Sequence, residues 1–528
     1  MNSGSLYKGR LAGCLFVVMV LAVSCAAFGD DSLKRTAESK LRAALAAMEL
    51  LQNNGGWGNA WTQDGRFMWG EYRIIPPGWI TVQPPATPGI AKVFLHAGIL
   101  LNDKGYLERV YMARDALLAI QTPDGGFPYE ADPKGQRPNQ SVFDDDTTTG
   151  ALDFLIAVWQ FTKADADLKA VKSVGDFLLK SQYPDSGGWP QRYPALMGTY
   201  MRDITFNDNA MQDIIKALLR LHELTNDKRY LDGTLKGGEC VIRLQGGPGE
   251  EIWAAQYNPD TLKPAWARKF EPPSYSSFES IEVCNVLIDL YMNTGQDRFL
   301  EPLPKAFAWY DAHRLPNGLW ARFYEAGTQR PVYGHPTEAI PVYDVAEARK
   351  GYGWQGQWFP AEAKKAYERI KAVGRDAYAK ELSASVSKPK PEELEPEVKR
   401  ICGELTPQGW WLEPPDYDQT NEMKGMKLPE QQIITSGAFC KNAEFLLRYL
   451  ECRKGSLTVG PIRKSDLQFR GNLLAWNFVI YVKRCRNVAG KDSRASGGNA
   501  GASGMQTSLH RGADPSTKRR NNFEPADS

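Results

Sequence analysis

The chain has 528 residues, 42% hydrophobic and 11% aromatic, enough apolar material for one large core or two smaller ones. Lys and Arg number 64 against 62 Asp and Glu, so the formal charge of +2 offers no electrostatic footprint for nucleic acid or an anionic membrane surface. An acidic ligand has to be held by a local cluster of cations.

At the N-terminus, Lys8 and Arg10 precede the apolar run LAGCLFVVMVLAVSCAAFG, which has the place and pattern of a secretory signal over residues 1–29. Cys25 in AVSC leaves a lipoprotein anchor open. Secretion or a periplasmic location is expected. Beyond this segment stand Cys240, Cys284, Cys402, Cys440, Cys452 and Cys485, none at the C-x-x-C spacing of a metal pair. One or two disulfides stay open, with no pairing assigned.

From residue 30 the chain repeats. MELLQNNGGWG (Gln52), LLAIQTPDGGFPYE (Gln121), LLKSQYPDSGGWPQRYP (Gln182) and VIRLQGGPGEEIW (Gln245) each end an apolar-periodic helix with a glutamine, a Gly-rich break and an aromatic. The spacing of roughly sixty to seventy residues suits an array of helical hairpins. Second helices lie between these ends: PGIAKVFLHAGILL, TTTGALDFLIAVWQF, NAMQDIIKALLRLHEL and SIEVCNVLIDLYM, each apolar at the three-and-four spacing and each followed by a polar turn. Glycines are expected at left-handed positions ending the helices. The predicted fold is mainly α, an (α/α) toroid of helical hairpins, (α/α)3-barrel-like, with irregular connections over residues 30–380.

Two of the second helices begin with acidic turns, SVFDDDTTTGAL and ITFNDNAM. Asp, Asn and Thr are ordinary helix caps, yet capping needs one acceptor, and the adjacent carboxylates Asp144, Asp145 and Asp146 repel one another unless water or a cation screens them. Neighbouring helices lie roughly 8–10 Å apart, so Asp144 and Asp145 can meet Asp208 around one ion. Oxygen ligands without nearby His or Cys favour Ca²⁺ over zinc or copper. The next such entrance, LKPAWARKFEPPSYSSFES, adds Arg268, Lys269 and Glu271. Tryptophans and aromatic-proline clusters after the Gly-rich breaks suggest, as a set, a carbohydrate groove, although any one of them suits core packing better.

From Ala43 to Trp358 the chain resembles the family 10 polysaccharide lyases, which are pectate lyases; the marks are FDDDTTTGAL, SQYPDSGGWPQRYP, ITFNDNAM, WARKFEPPS, WARFYEAGTQRP and EARKGYGW. The resemblance implies an α-helical toroid that cleaves α-1,4-linked polygalacturonate by β-elimination with calcium. It implies that Asp144, Asp145 and Asp208 hold the metal and that Arg268 is the catalytic base. Arg322, Lys269, Arg330, Arg349 and Trp189 would contact substrate. An arginine base is unusual because guanidinium normally stays protonated; calcium and Lys269 or Arg322 would push its pKa down. The chain departs from the family after TQRP, where His335 and Pro336 stand in place of a further substrate-binding arginine, and at Lys350, where a second arginine is common.

Residues 381–454 read as a Pro/Lys/Glu-rich linker with an additional helical segment, and 455–528 have the composition of disorder. No stretch in that tail is long enough to span a bilayer. A monomer is expected, with polygalacturonate or a related acidic polysaccharide as partner. Two other readings stay open. One is a non-catalytic uronate-binding protein on the same scaffold. The other is a triterpene cyclase-like enzyme, whose acidic motif DDDT approaches although position 143 is Phe where that motif needs Asp.

Overall fold

The computed structural model describes residues 32–454 except 72, 386–388, 417–418, 421–422 and 424–430. The signal segment 1–29, Cys485 and the tail 455–528 lie outside the described residues. Helix α1 covers residues 32–50. Then follow α2 (Thr87–Leu101), α3 (Lys104–Ile120), α4 (Thr147–Thr162), α5 (Asp165–Lys180), α6 (Ala210–Thr225), α7 (Lys228–Arg243), α8 (Glu279–Thr294), α9 (Leu303–Ala312), α10 (Ala361–Val373), α11 (Arg375–Ser385) and α12 (Pro391–Glu404). The last described helix is Ser436–Arg453. None of the described helices is long and apolar enough to cross a membrane.

The helices form the predicted toroid of hairpins. The last helix, α2, α4, α6, α8 and α10 stand side by side in that order as an inner row, with α12, α3, α5 and α7 packed as outer partners of the first four. Their apolar stripes make one core, in which Phe94, Phe154, Ile214 and Leu287 are fully buried. Helix α12 and the last helix add one more pair to the array. In the additional helical segment, Phe439 of the last helix stacks on Phe94 of α2 with ring centroids 6.3 Å apart, and Ile433–Thr435 pairs with Ala60–Trp61. The first and last hairpins are therefore neighbours.

The repeated Gln-Gly-Gly-aromatic ends have a mechanical reason. Gln52 Nε2 donates to its own break at Gly55 O (2.9 Å) and across to Arg109 O in α3 (3.2 Å). Gln182 does the same to Gly187 O (2.8 Å) and Gly233 O in α7 (3.0 Å), and Gln245 to Glu251 O (2.8 Å) and Pro302 O (2.9 Å). Each carboxamide ties one hairpin to the next. The following glycine permits the close approach: Gly187 has φ +80°, and a Cβ there would lie 2.6 Å from the Lys236 carbonyl of α7. Gly409 (φ +90°) would meet the Ala43 carbonyl of α1 at 2.7 Å in the same way, which closes the order from last hairpin to first. Gln182→Ala removes both bonds at one junction. It should lower unfolding free energy by about 1–2 kcal/mol, read as a shifted urea midpoint with unchanged slope; an unchanged midpoint would refute the tie.

Two expectations need correction. The left-handed residues that end α2, α4 and α6 are Asn102, Lys163 and Asn226, whereas α8 ends on Gly295 and α10 on Gly374, which also has a positive φ. Five tryptophans that follow the Gly-rich breaks belong to the core rather than to a groove. Trp57, Trp189, Trp253, Trp320 and Trp411 are all buried, and each indole N–H donates to a carbonyl near the end of the preceding outer helix: Met48, Leu178, Val241, Tyr310 and Ile401, at 2.7–2.9 Å. Trp189 therefore faces the core rather than a substrate, with no surface to offer a sugar. Cys240, Cys284, Cys402 and Cys440 are free thiols.

Candidate active site

The acidic turns sit at the N-terminal ends of α4 and α6 and pack against each other. Their backbones match. Asp145 (φ 51°) and Asp146 (φ 58°) are left-handed in one, Asp208 (φ 46°) and Asn209 (φ 62°) in the other, a conformation that Asp and Asn tolerate best among residues with a Cβ. Asp145 is thus the counterpart of Asp208, and Asp144 that of Asn207. Neither N-cap residue, Asp146 or Asn209, makes a side-chain capping bond. These turns serve something other than capping.

Carboxylate oxygens of Asp144, Asp145 and Asp208 lie within 4.8 Å of one another, as a metal site requires. Asp144 is buried. Its Oδ2 accepts from Tyr129 Oη and Gln191 Nε2, both at 2.8 Å, whereas Oδ1 is buried with no hydrogen-bond partner. Burial first, and then the charges of Asp145 and Asp208, push the Asp144 carboxyl well above the usual carboxylate range. A buried, unpartnered carboxylate oxygen facing two like groups fits a hard cation with oxygen ligands.

Two guanidiniums flank this trio. Arg268 forks onto Glu271, with Nε to Oε2 at 2.9 Å and Nη2 to Oε1 at 2.6 Å. Arg322 Nη2 donates to Glu279 Oε1 at 2.6 Å. Asp208 acts electrostatically on both arginines, and Arg268 acts on Asp144. Tyr352 lies between the two, its ring 5.9 Å from the Arg268 guanidinium and 4.9 Å from that of Arg322, with its hydroxyl donating to Glu271 Oε1 at 2.8 Å. Burial alone would draw the Arg268 pKa down, but the Glu271 carboxylate outweighs it and holds the guanidinium above its ordinary value. Within the protein alone, the expected downward shift is reversed.

The remaining expected contacts are spread more widely. Lys269 is exposed beside Arg268. Arg349 is exposed and stacks over Phe270 at 4.4 Å. Arg330 stacks on Tyr343 at 3.9 Å, away from any contact with the acidic trio, and the Tyr343 hydroxyl bonds Glu325. His335 Nδ1 accepts from the backbone N–H groups of Thr337 and Glu338, so it braces its own loop. Sequence reasoning missed Tyr129, Gln191 and Tyr352. Their signal was present in the aromatic-proline motifs GGFPYE and GGWPQRYP and in EARKGYGW, which carry them beside the better-marked residues.

The pectic acid lyase family model matches residues 126–318, the span that holds the trio and Arg268. This bears out the resemblance read from the motifs, a polysaccharide lyase. No curated protein matches the chain in sequence. Among solved structures, a family 10 polysaccharide lyase from Cellvibrio cellulosa is similar at 24% identity, with 50% of this chain and 91% of that chain covered and a TM-score of 0.42. A mutant of a family 10 polysaccharide lyase from the same organism, in complex with trigalacturonic acid, gives 24% identity, coverage of 54% and 98%, and 0.42. A family 76 mannosidase from Bacteroides thetaiotaomicron gives 12%, with 80% and 100% covered, and 0.43.

Proposed function

We propose, from the match of residues 126–318 to the pectic acid lyase family model, that the chain is a calcium-dependent pectate lyase cleaving α-1,4-linked polygalacturonate by β-elimination. The observation that carries this reading is the buried, unpartnered Asp144 Oδ1 facing Asp145 and Asp208, with Arg268 and Arg322 alongside. Asp144, Asp145 and Asp208 would hold Ca²⁺, which supplies the positive charge that neutralises a uronate carboxylate and the enediolate formed from it.

The difficulty in the reaction is electrostatic. Taking the C5 proton of a uronate places negative charge next to a carboxylate, so cations aimed at that carboxylate lower the barrier. Arg322 is built for this, held by Glu279 and stacked on Phe278 at 4.2 Å. Lys269 and Arg349 add exposed positive charge near Arg268. Arg268, once it has given up a proton to become the neutral guanidine, takes the C5 proton on a guanidine nitrogen and returns to guanidinium, the C–H electrons form the C4–C5 double bond, and the C4–O bond breaks. The departing oxygen carries away the electron pair of the C4–O bond and takes its proton from solvent, and no water is added across the double bond. To act as base Arg268 first has to part from Glu271, whose carboxylate holds its proton in place. Export, through the signal-like N-terminus, fits a polymeric substrate outside the cell, and the chain acts as a monomer.

Purified protein given polygalacturonate and Ca²⁺ at alkaline pH should generate the ultraviolet absorbance of a 4,5-unsaturated uronate, and EDTA should abolish it. Reducing ends without that absorbance would overturn the lyase reading. The Arg268–Glu271 fork favours one alternative, a uronate-binding protein without turnover; it would show affinity for oligogalacturonate and no absorbance change.

A further inference from the structure

Arg192, in the motif GGWPQRYP, has no part in the site as described, yet it stands at its edge. The strand Arg192–Tyr193 pairs with Ser141–Val142, with Arg192 opposite Val142, two residues before Asp144. Its neighbour Gln191 donates to Asp144. The Arg192 guanidinium lies over the ring of Tyr129 at 5.3 Å, and the hydroxyl of that same ring reaches Asp144. Burial pushes the Tyr200 hydroxyl up, and the charges of Arg268, Glu271, Asp144 and Arg192 also act on it.

Its electrostatic state differs from that of the other two arginines. Arg268 is neutralised by Glu271 and Arg322 by Glu279. Arg192 has no carboxylate partner among the described residues. Its polar contact is the neutral Gln140 Oε1, 3.2 Å from Nη1, and its Nε is buried with no hydrogen-bond partner. A guanidinium half-sheltered on an aromatic ring, with its charge uncompensated, gains most from an incoming anion, since charge-assisted bonds strengthen as water is excluded. By its pairing with Val142, Arg192 sits at the entrance of α4, whereas Arg322 is paired with Glu279 at the start of α8.

We propose that Arg192, seated on Tyr129, is a second uronate position: it takes the carboxylate of a sugar next to the one that reacts, so that an acidic polysaccharide crosses the trio from the Arg322 side to the Arg192 side. The assignment rests on the polygalacturonate reading given above. It makes Arg192 a determinant of substrate length, because an oligomer too short to reach it forgoes that contact while keeping the reacting sugar in place.

The test uses the full chain with Ca²⁺, steady-state kinetics on polygalacturonate and on di- and trigalacturonate, and melting temperatures for every variant. Arg192→Ala should raise KM for the polymer about tenfold while kcat stays within about twofold, and the penalty should shrink for the shortest oligomer cleaved. Arg192→Lys keeps the charge but loses the planar fork; it should raise KM by a smaller factor and stands in if the alanine variant melts early. An unchanged KM in a folded variant, or a fall in kcat alone, overturns the subsite while leaving the lyase reading intact. If the wild-type chain neither binds nor cleaves any oligogalacturonate, the lyase reading falls and takes the subsite with it.

Discussion

Asp208→Asn is expected to lower kcat on polygalacturonate by about a thousandfold, as fits the loss of several kcal/mol of charge stabilisation. Asparagine keeps the shape of the side chain and tolerates the left-handed backbone at φ 46°, so the turn before α6 should survive the change. What goes is one of the three carboxylates proposed to hold Ca²⁺. Terbium or calcium titration should show weakened binding in step with activity, and extra Ca²⁺ should recover part of the rate. The cation-free variant should melt no lower than the wild type, because one of three mutually repelling carboxylates has gone. Full activity in Asp208→Asn, or wild-type activity indifferent to EDTA, would remove the metal centre from the mechanism.

The largest effect on stability is expected deeper in the ring. Asp153 of α4 lies between Lys92 of α2, 2.6 Å away, and Arg220 of α6, so one carboxylate bonds three inner helices together. Burial alone would raise its pKa, but Lys92 and then Arg220 overcome this and hold it far below the ordinary carboxylate range. Asp153→Asn removes the charge that Lys92 and Arg220 share, at a cost of about 3–5 kcal/mol. The pH dependence has a definite sign. A carboxylate whose folded pKa is depressed contributes stability above its unfolded pKa, near 3.9, and loses it as pH falls towards the folded value. The gap between wild type and variant in urea unfolding should therefore be full at neutral pH and shrink in strong acid. A gap below about 1 kcal/mol, or one that does not change with pH, would show that the triad is incidental.

Much of this was legible in the primary structure because it depends on side-chain identity at fixed spacing. The hairpins declare themselves through helical periodicity, and the junctions through the glutamines and glycines that make them. The acidic trio was legible because three adjacent aspartates are difficult to explain as caps. Other features depend on partners without a side-chain signature. The indole of Trp189 is satisfied by a backbone carbonyl, which any residue supplies, so a buried tryptophan and one that stacks on a sugar look alike in the chain. The fork between Arg268 and Glu271 is three residues long and was visible as a pair, but its effect on the arginine depends on burial. Helix α12 was hidden by its own composition, since PEELEPEVKR reads as charged linker until Val398 and Ile401 are seen turned into the core.

The adjacency of the last hairpin to the first limits how the protein can be shortened. A version ending at residue 380, where composition invites a cut, would keep every residue of the acidic trio and both flanking arginines. It would also strip Phe94 of one of its aromatic neighbours, Phe439, and leave the short strand at residues 60–61 with a bare edge. Such a fragment would be sticky and prone to self-association, and its inactivity would say nothing about chemistry.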